Sequence, residues 1–210
     1  RHTRYWRDWS SDVCSSDLRG MWRDGLMARA KVLFGFVGIL WVIELFDWLI
    51  LGGQLDQIGI RPREFEGIWG VLLAPFLHGG PGHLLSNTGP LLWMGALIMV
   101  WGVAEFVTVI ATVTVLGGLG TWLIGRGNSV HQGASALAFG FLGYLVARGF
   151  VERRPVALIL AVLTMTWYSS IIFGIFPTRS YISWEGHLAG LLAGIGLGVF
   201  RARQVRSGGG

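Results

Sequence analysis

The chain has 210 residues, of which 52% are hydrophobic and only 14% charged, with 11 Trp and a formal net charge of +5. That is more apolar surface than one soluble core of this length can hide, so a soluble globular domain is excluded and a polytopic membrane protein is implied. The basic residues flank apolar segments rather than massing on one face, which argues against a nucleic-acid partner, and the lone Cys14 offers neither a disulfide framework nor a thiolate metal cluster.

The stretch from Asp8 to Leu18 is polar and unpatterned, unlike everything after it. It looks like the in-frame translation of a sequencing-library adapter. Residues 1–18 are therefore set apart as non-native or disordered, with an authentic start expected near Met21 or Met27 and residues 19–29 as a cytoplasmic N-terminus. The first apolar run lies behind Arg29 and Lys31 and covers Ala30 to Leu51. It is too long for a cleavable signal peptide and lacks a small-residue cleavage site, so it reads as the first span. Glu44 and Asp47, three apart on one helical face, are expected to point into the bundle or up to the outer interface.

A polar loop follows with Gly52-Gly53, Asp56 and Arg61-Pro62-Arg63, and then Ile68 to Leu73 leads to Pro75, a stretch too short and broken to span and so expected at the interface. The second span is expected from His83 to Trp101 and the third from Glu105 to Ile124. Only Gly102-Val103-Ala104 separates them, which predicts an antiparallel hairpin. The fourth covers Ser135 to Phe150, the fifth Pro155 to Phe173 and the sixth Trp184 to Phe200. Residues 30–200 thus form one membrane domain of six helices, and 201–210 a short basic tail.

Lys and Arg choose the orientation. With the N-terminus inside, Arg29, Lys31, Arg148, Arg153, Arg154, Arg201, Arg203 and Arg206 lie on the cytoplasmic side, against Arg61, Arg63, Arg126 and Arg179 outside. The second, fourth and sixth spans then enter from the outer face. Their first turns carry His83 and Asn87, Ser135, and His187, so every candidate polar residue lies at a similar depth in the outer half of the membrane.

A hydroxyl becomes a nucleophile when a neutral base takes its proton, and Ser135 and His187 supply one of each. Gly186, Gly190, Gly194 and Gly198 recur every four residues along the sixth span, facing Ala136, Gly140 and Gly143 of the fourth. Small residues permit close backbone approach, so the ladder, with Gly133 as a further helix-packing residue, is expected to bring His187 beside Ser135. His83 and Asn87, four apart on one helix, share a face and can converge on a developing oxyanion. His78, five residues before His83, would be rotated about 140° away on a continuous helix, which disfavours a two-histidine metal face. No metal or cofactor is expected. His131 reads as a solvated loop residue.

The series His78, His83, Asn87, the Gly133-Ala134-Ser135 triplet, Gly186-His187 with Gly190, and the approach Ala74-Pro75-Phe76-Leu77-His78-Gly79 together resemble the signature of the rhomboid intramembrane serine proteases, over about residues 30–200. The resemblance implies an all-α membrane protein, a six-transmembrane-helix rhomboid-like bundle, in which Ser135 attacks the scissile carbonyl and His187 acts as base and then acid. It further implies that His83, Asn87 and the Ser135 backbone N–H bind the oxyanion, and that Phe139 stands where the family often has an aromatic packed on the imidazole. Glu185 is expected to point elsewhere, leaving no acidic third member. The family's usual Gly after the nucleophile is Ala136 here, and Phe65-Glu66-Gly67 stands where some members have a Trp-Arg pair.

The implied function is that of a serine endopeptidase in the cell membrane, the bacterial inner membrane, with its active site toward the outer face. Its partners would be transmembrane protein substrates and membrane lipids. The alternative is an inactive rhomboid-like protein that binds and routes membrane clients, which the presence of both Ser135 and His187 disfavours; a small transporter would show internal repeats, and none is found.

Overall fold

The computed structural model describes residues 12–168, 173–177 and 183–207, with side chains from residue 25 onward. Among these residues the fold is an all-α membrane bundle, apart from one isolated antiparallel bridge between Ile60 and His131. Its principal helices are α1 (Asp12–Phe46), α2 (Pro81–Trp101), α3 (Val103–Ile124), α4 (Ser135–Glu152), α5 (Pro155–Tyr168) and α6 (Trp184–Ser207).

Five segments, Gly25–Leu51 within and beyond α1 together with α2, α3, α4 and α6, are long and apolar enough to cross a membrane. Of the expected fifth span, α5 covers Pro155–Tyr168. Residues 169–172 of that predicted span lie outside the described residues, as do 178–182 with Arg179, 1–11 of the segment set apart at the N-terminus and 208–210 of the tail. Two boundaries differ. Helix α1 begins at Asp12 rather than near Ala30, and α6 runs on to Ser207 through the residues expected as a tail.

α1 ends in a π-helical turn, Asp47–Leu51, stopped by Gly52 in the left-handed region at φ 64°. Glu44 and Asp47 do turn inward, both buried, and Asp47 Oδ1 accepts the Leu55 N–H at 3.0 Å. The short helical stretch Glu66–Phe76 is apolar. It buries Val71 and Ala74 against Ile60 and Trp122 while leaving Trp69 and Leu72 exposed. α2 and α3 form the expected hairpin, closed at Gly102, whose φ of 108° suits only glycine.

α4 is the centre of the bundle: 72% of its span is buried, against 28–39% for the other four spans. Leu137, Phe141, Tyr144 and Leu145 on it are fully buried. The expected glycine ladder is present and in register. A β-carbon on Gly190 or Gly194 would collide with the carbonyl oxygen of Ala136 or Gly140, and one on Gly198 would lie 2.7 Å from that of Tyr144. Three rungs of α6 thus meet three carbonyls spaced one turn apart on α4, a backbone approach that any side chain would prevent. Three glycines turn their open sides away from the α4–α6 seam. Gly140 turns its open side to Val113 of α3, and Gly186 to Ser183 Oγ, at 2.8 Å from a built β-carbon, because the ladder drifts off α4 above Gly190. Gly133 lies before α4 at φ 111°, and a β-carbon there would lie 2.6 Å from the His83 ring, so it serves a turn rather than a helix interface.

At the end of the bundle where α3 begins and α4 and α6 finish, Arg148 is buried rather than solvated. Its guanidinium meets Glu152 at 2.8 Å and Glu105 at 3.1 Å, and lies 4.1 Å over the Trp101 ring. Glu105 also accepts the Tyr144 hydroxyl at 2.6 Å and pairs with Arg201 at 3.2 Å. One charge network therefore ties α3, α4 and α6 together at that end.

Candidate active site

The opposite end holds a cavity of about 750 Å³ lined by the first turns of α2, α4 and α6. Three helices start there, so side chains from their N-terminal turns converge on one space, and Ser135, His187, His83, Asn87 and Phe139 all line it. His187 Nε2 lies 2.8 Å from Ser135 Oγ, and its Nδ1 lies 2.9 Å from the Gly174 carbonyl oxygen. A carbonyl can only accept, so Nδ1 carries the ring proton and Nε2 presents its lone pair to the serine hydroxyl. That is the tautomer a general base needs.

The orienting acceptor, Gly174, is a residue that sequence reasoning missed. A backbone carbonyl has no side-chain signature. Glycine is required by space: a β-carbon there would lie 2.8 Å from Phe139 Cζ and 3.1 Å from His187 Nδ1. Phe139 stacks on the imidazole with centroids 4.2 Å apart and rings inclined by 11°, one helical turn after Ser135.

His83 and Asn87 approach from α2. Asn87 is buried, yet its Nδ2 has no hydrogen-bond partner among the described residues. A buried amide donor left open in this way costs free energy unless something in the cavity accepts from it. The Gly79 N–H points at His83 Nδ1 at 3.4 Å, which leaves the ring proton on Nε2 as a second donor.

His78 lies in the turn before α2, outside the helix, so no helical rotation separates it from His83, and the two rings meet edge-on at 5.4 Å. Its Nε2 accepts the Ala134 N–H at 3.0 Å, immediately before Ser135. Burial pushes its pKa down to about 3, so it is a neutral acceptor. Among the described residues no group of His, Cys, Asp and Glu is arranged to hold a metal ion.

One further reading is corrected and another is extended. His131 is buried rather than solvated, with Nδ1 2.6 Å from Ser183 Oγ and Nε2 2.9 Å from Ser129 Oγ, because loops from three parts of the chain close over it. Burial lowers its pKa as well. Glu185 points away from the His187 ring, as expected, but it is fully buried and pairs with Arg126 at 2.9 Å.

Residues 66–204 match the family model described as "Rhomboid domain". The "Uncharacterized protein Rv1337" of Mycobacterium tuberculosis is 41% identical over 168 residues, covering 76% of this chain and 70% of that protein. A Mycobacterium leprae relative, "Uncharacterized protein ML1171", is 36% identical over 177 residues, 80% and 70% of the two chains. The Bacillus subtilis protein named "Putative rhomboid protease YdcA" is 31% identical over 136 residues, 61% and 65% of the two chains.

Proposed function

Because this chain belongs to the rhomboid family, we propose that it is an intramembrane serine endopeptidase that cuts transmembrane or membrane-proximal segments of membrane proteins. The observation that carries the reading is the 2.8 Å contact between Ser135 Oγ and His187 Nε2, with the tautomer set by Gly174.

In the first step Ser135 Oγ attacks the scissile carbonyl carbon as His187 Nε2 takes the hydroxyl proton. The carbonyl oxygen becomes an oxyanion, stabilised by Asn87 Nδ2, His83 Nε2 and the Ser135 N–H; such donors typically lower the barrier by about 3 kcal/mol each. The imidazolium then returns its proton to the departing amine, leaving an acyl-enzyme on Ser135. Water entering the cavity gives a proton to the same Nε2 and adds to the acyl carbon; the acyl–Oγ bond then breaks and the Nε2 proton passes to Oγ, which frees the acid and restores the hydroxyl. Gly174 supports this cycle in place of a carboxylate, since its carbonyl holds the Nδ1 proton throughout. Phe139 restricts the ring to the plane in which Nε2 faces Oγ.

The charge distribution along the chain supports a cell-membrane location with the N-terminus inside and the cavity toward the outer face. The test is cleavage of a transmembrane model substrate by purified protein in liposomes. His187→Ala is expected to lose several orders of magnitude in rate while remaining folded, and chelators should change neither protein. Cleavage by His187→Ala at the wild-type rate would remove the proposed base, and with it the advantage of this reading over a client-binding role.

A further inference from the structure

The loop that delivers Ser135 also grips the helix that carries His187. Within it, His131 exchanges two backbone hydrogen bonds with Ile60, each of 2.8 Å, and its ring contacts Ser183 Oγ at 2.6 Å. Ser183 is the residue whose carbonyl accepts the His187 N–H at 3.1 Å, so it caps α6. Five residues before His131, Arg126 Nε meets the fully buried Glu185 at 2.9 Å. Ser183 and Glu185 precede His187 by four and two residues, so both contacts act on the turn that bears it.

The glycine ladder does only part of this work. Its uppermost rung against α4, Gly190, meets Ala136 three residues after His187, whereas Gly186 faces Ser183 instead. The start of α6, on the N-terminal side of His187, is held by other contacts. A buried carboxylate at the start of a helix suits the local dipole and demands a fixed partner, and Arg126 supplies that partner from the loop that ends at Ser135. From this we infer that the pairs Arg126–Glu185 and His131–Ser183 form a clasp that sets the separation of Ser135 Oγ and His187 Nε2. The four are positioning residues, and the inference rests on the proposed Ser135–His187 dyad.

The test is the rate at which a fluorophosphonate labels Ser135 in the full chain, read separately from the fraction labelled at the end point. End-point labelling reports how much protein is folded, whereas the rate constant reports dyad geometry. Because a misplacement of about 1 Å costs on the order of a hundredfold, Glu185→Gln and His131→Leu should each slow labelling by about 10- to 100-fold with little loss at the end point. His131→Asn, which keeps a nitrogen close to the place of Nδ1, should recover most of the rate. Should His131→Leu fail to fold, Arg126→Gln and Glu185→Gln decide. Labelling at the wild-type rate in these variants, or a loss confined to the end point, overturns the clasp while leaving the dyad in place. Absence of labelling at Ser135 in the wild type overturns both.

Discussion

Adding one methyl group at Gly190 is the most searching perturbation of the packing. A β-carbon there would collide with the Ala136 carbonyl oxygen and lie 3.0 Å from the Ala136 carbonyl carbon, where ordinary contact begins at 3.4 Å. Both colliding partners are backbone, so no rotamer change relieves the clash, and α6 must move away from α4. Relief requires a shift of about 1 Å, next to Ser135 on one helix and three residues after His187 on the other. A hydrogen bond of 2.8 Å between Oγ and Nε2 does not survive such a shift, and the expected loss of rate is about a hundredfold. Gly198→Ala is the internal control. Its β-carbon would lie 2.7 Å from the Tyr144 carbonyl oxygen, so it too loosens the interface, but nine residues beyond Ser135, about 13 Å along α4. It should lower thermal stability yet cost less than about fivefold in rate per folded molecule. The assay is cleavage of one transmembrane substrate in liposomes, normalised to folded protein. Equal rates for Gly190→Ala and wild type would refute the idea that ladder packing holds the dyad together.

Removing the ring of Phe139, stacked 4.2 Å from the imidazole, should slow turnover by up to about tenfold in Phe139→Ala, the worth of an aromatic pair; an unchanged kcat would mean that Gly174 alone orients His187. Arg148→Met leaves Glu105 and Glu152 without their shared partner and should cost about 3–5 kcal/mol of stability, visible as a lower unfolding midpoint, with the labelling rate of the folded fraction unaffected. Acid should also destabilise the fold through His78. Its folded pKa of about 3 lies below the unfolded value of about 6.5, so the stabilisation is complete above pH 6.5 and is lost as pH falls toward 3. Between pH 7 and pH 5 the loss is about 2 kcal/mol, and His78→Gln, which keeps an acceptor for the Ala134 N–H, should flatten that slope in thermal unfolding.

Much of this architecture was legible because a bilayer imposes long apolar runs and makes polar residues within them conspicuous. His83, Asn87, Ser135 and His187 could be grouped from depth alone, and the four-residue glycine spacing named the helix pair that brings two of them together. What was illegible depended on groups without a side-chain signature or on loops closing in space. The Gly174 carbonyl that fixes the His187 tautomer is backbone. His131 reads as solvated until the bridge to Ile60 buries it, and Arg148 reads as a charge at a span end until Glu105 and Glu152 enclose it.

The central claim is that Ser135 is a nucleophile activated by His187. The most direct measurement is mass-spectrometric mapping of the adduct formed when purified protein is treated with a fluorophosphonate. The account predicts a single adduct on Ser135, absent from Ser135→Ala and formed orders of magnitude more slowly in His187→Ala. An adduct on another residue, or one formed equally fast without His187, would contradict it.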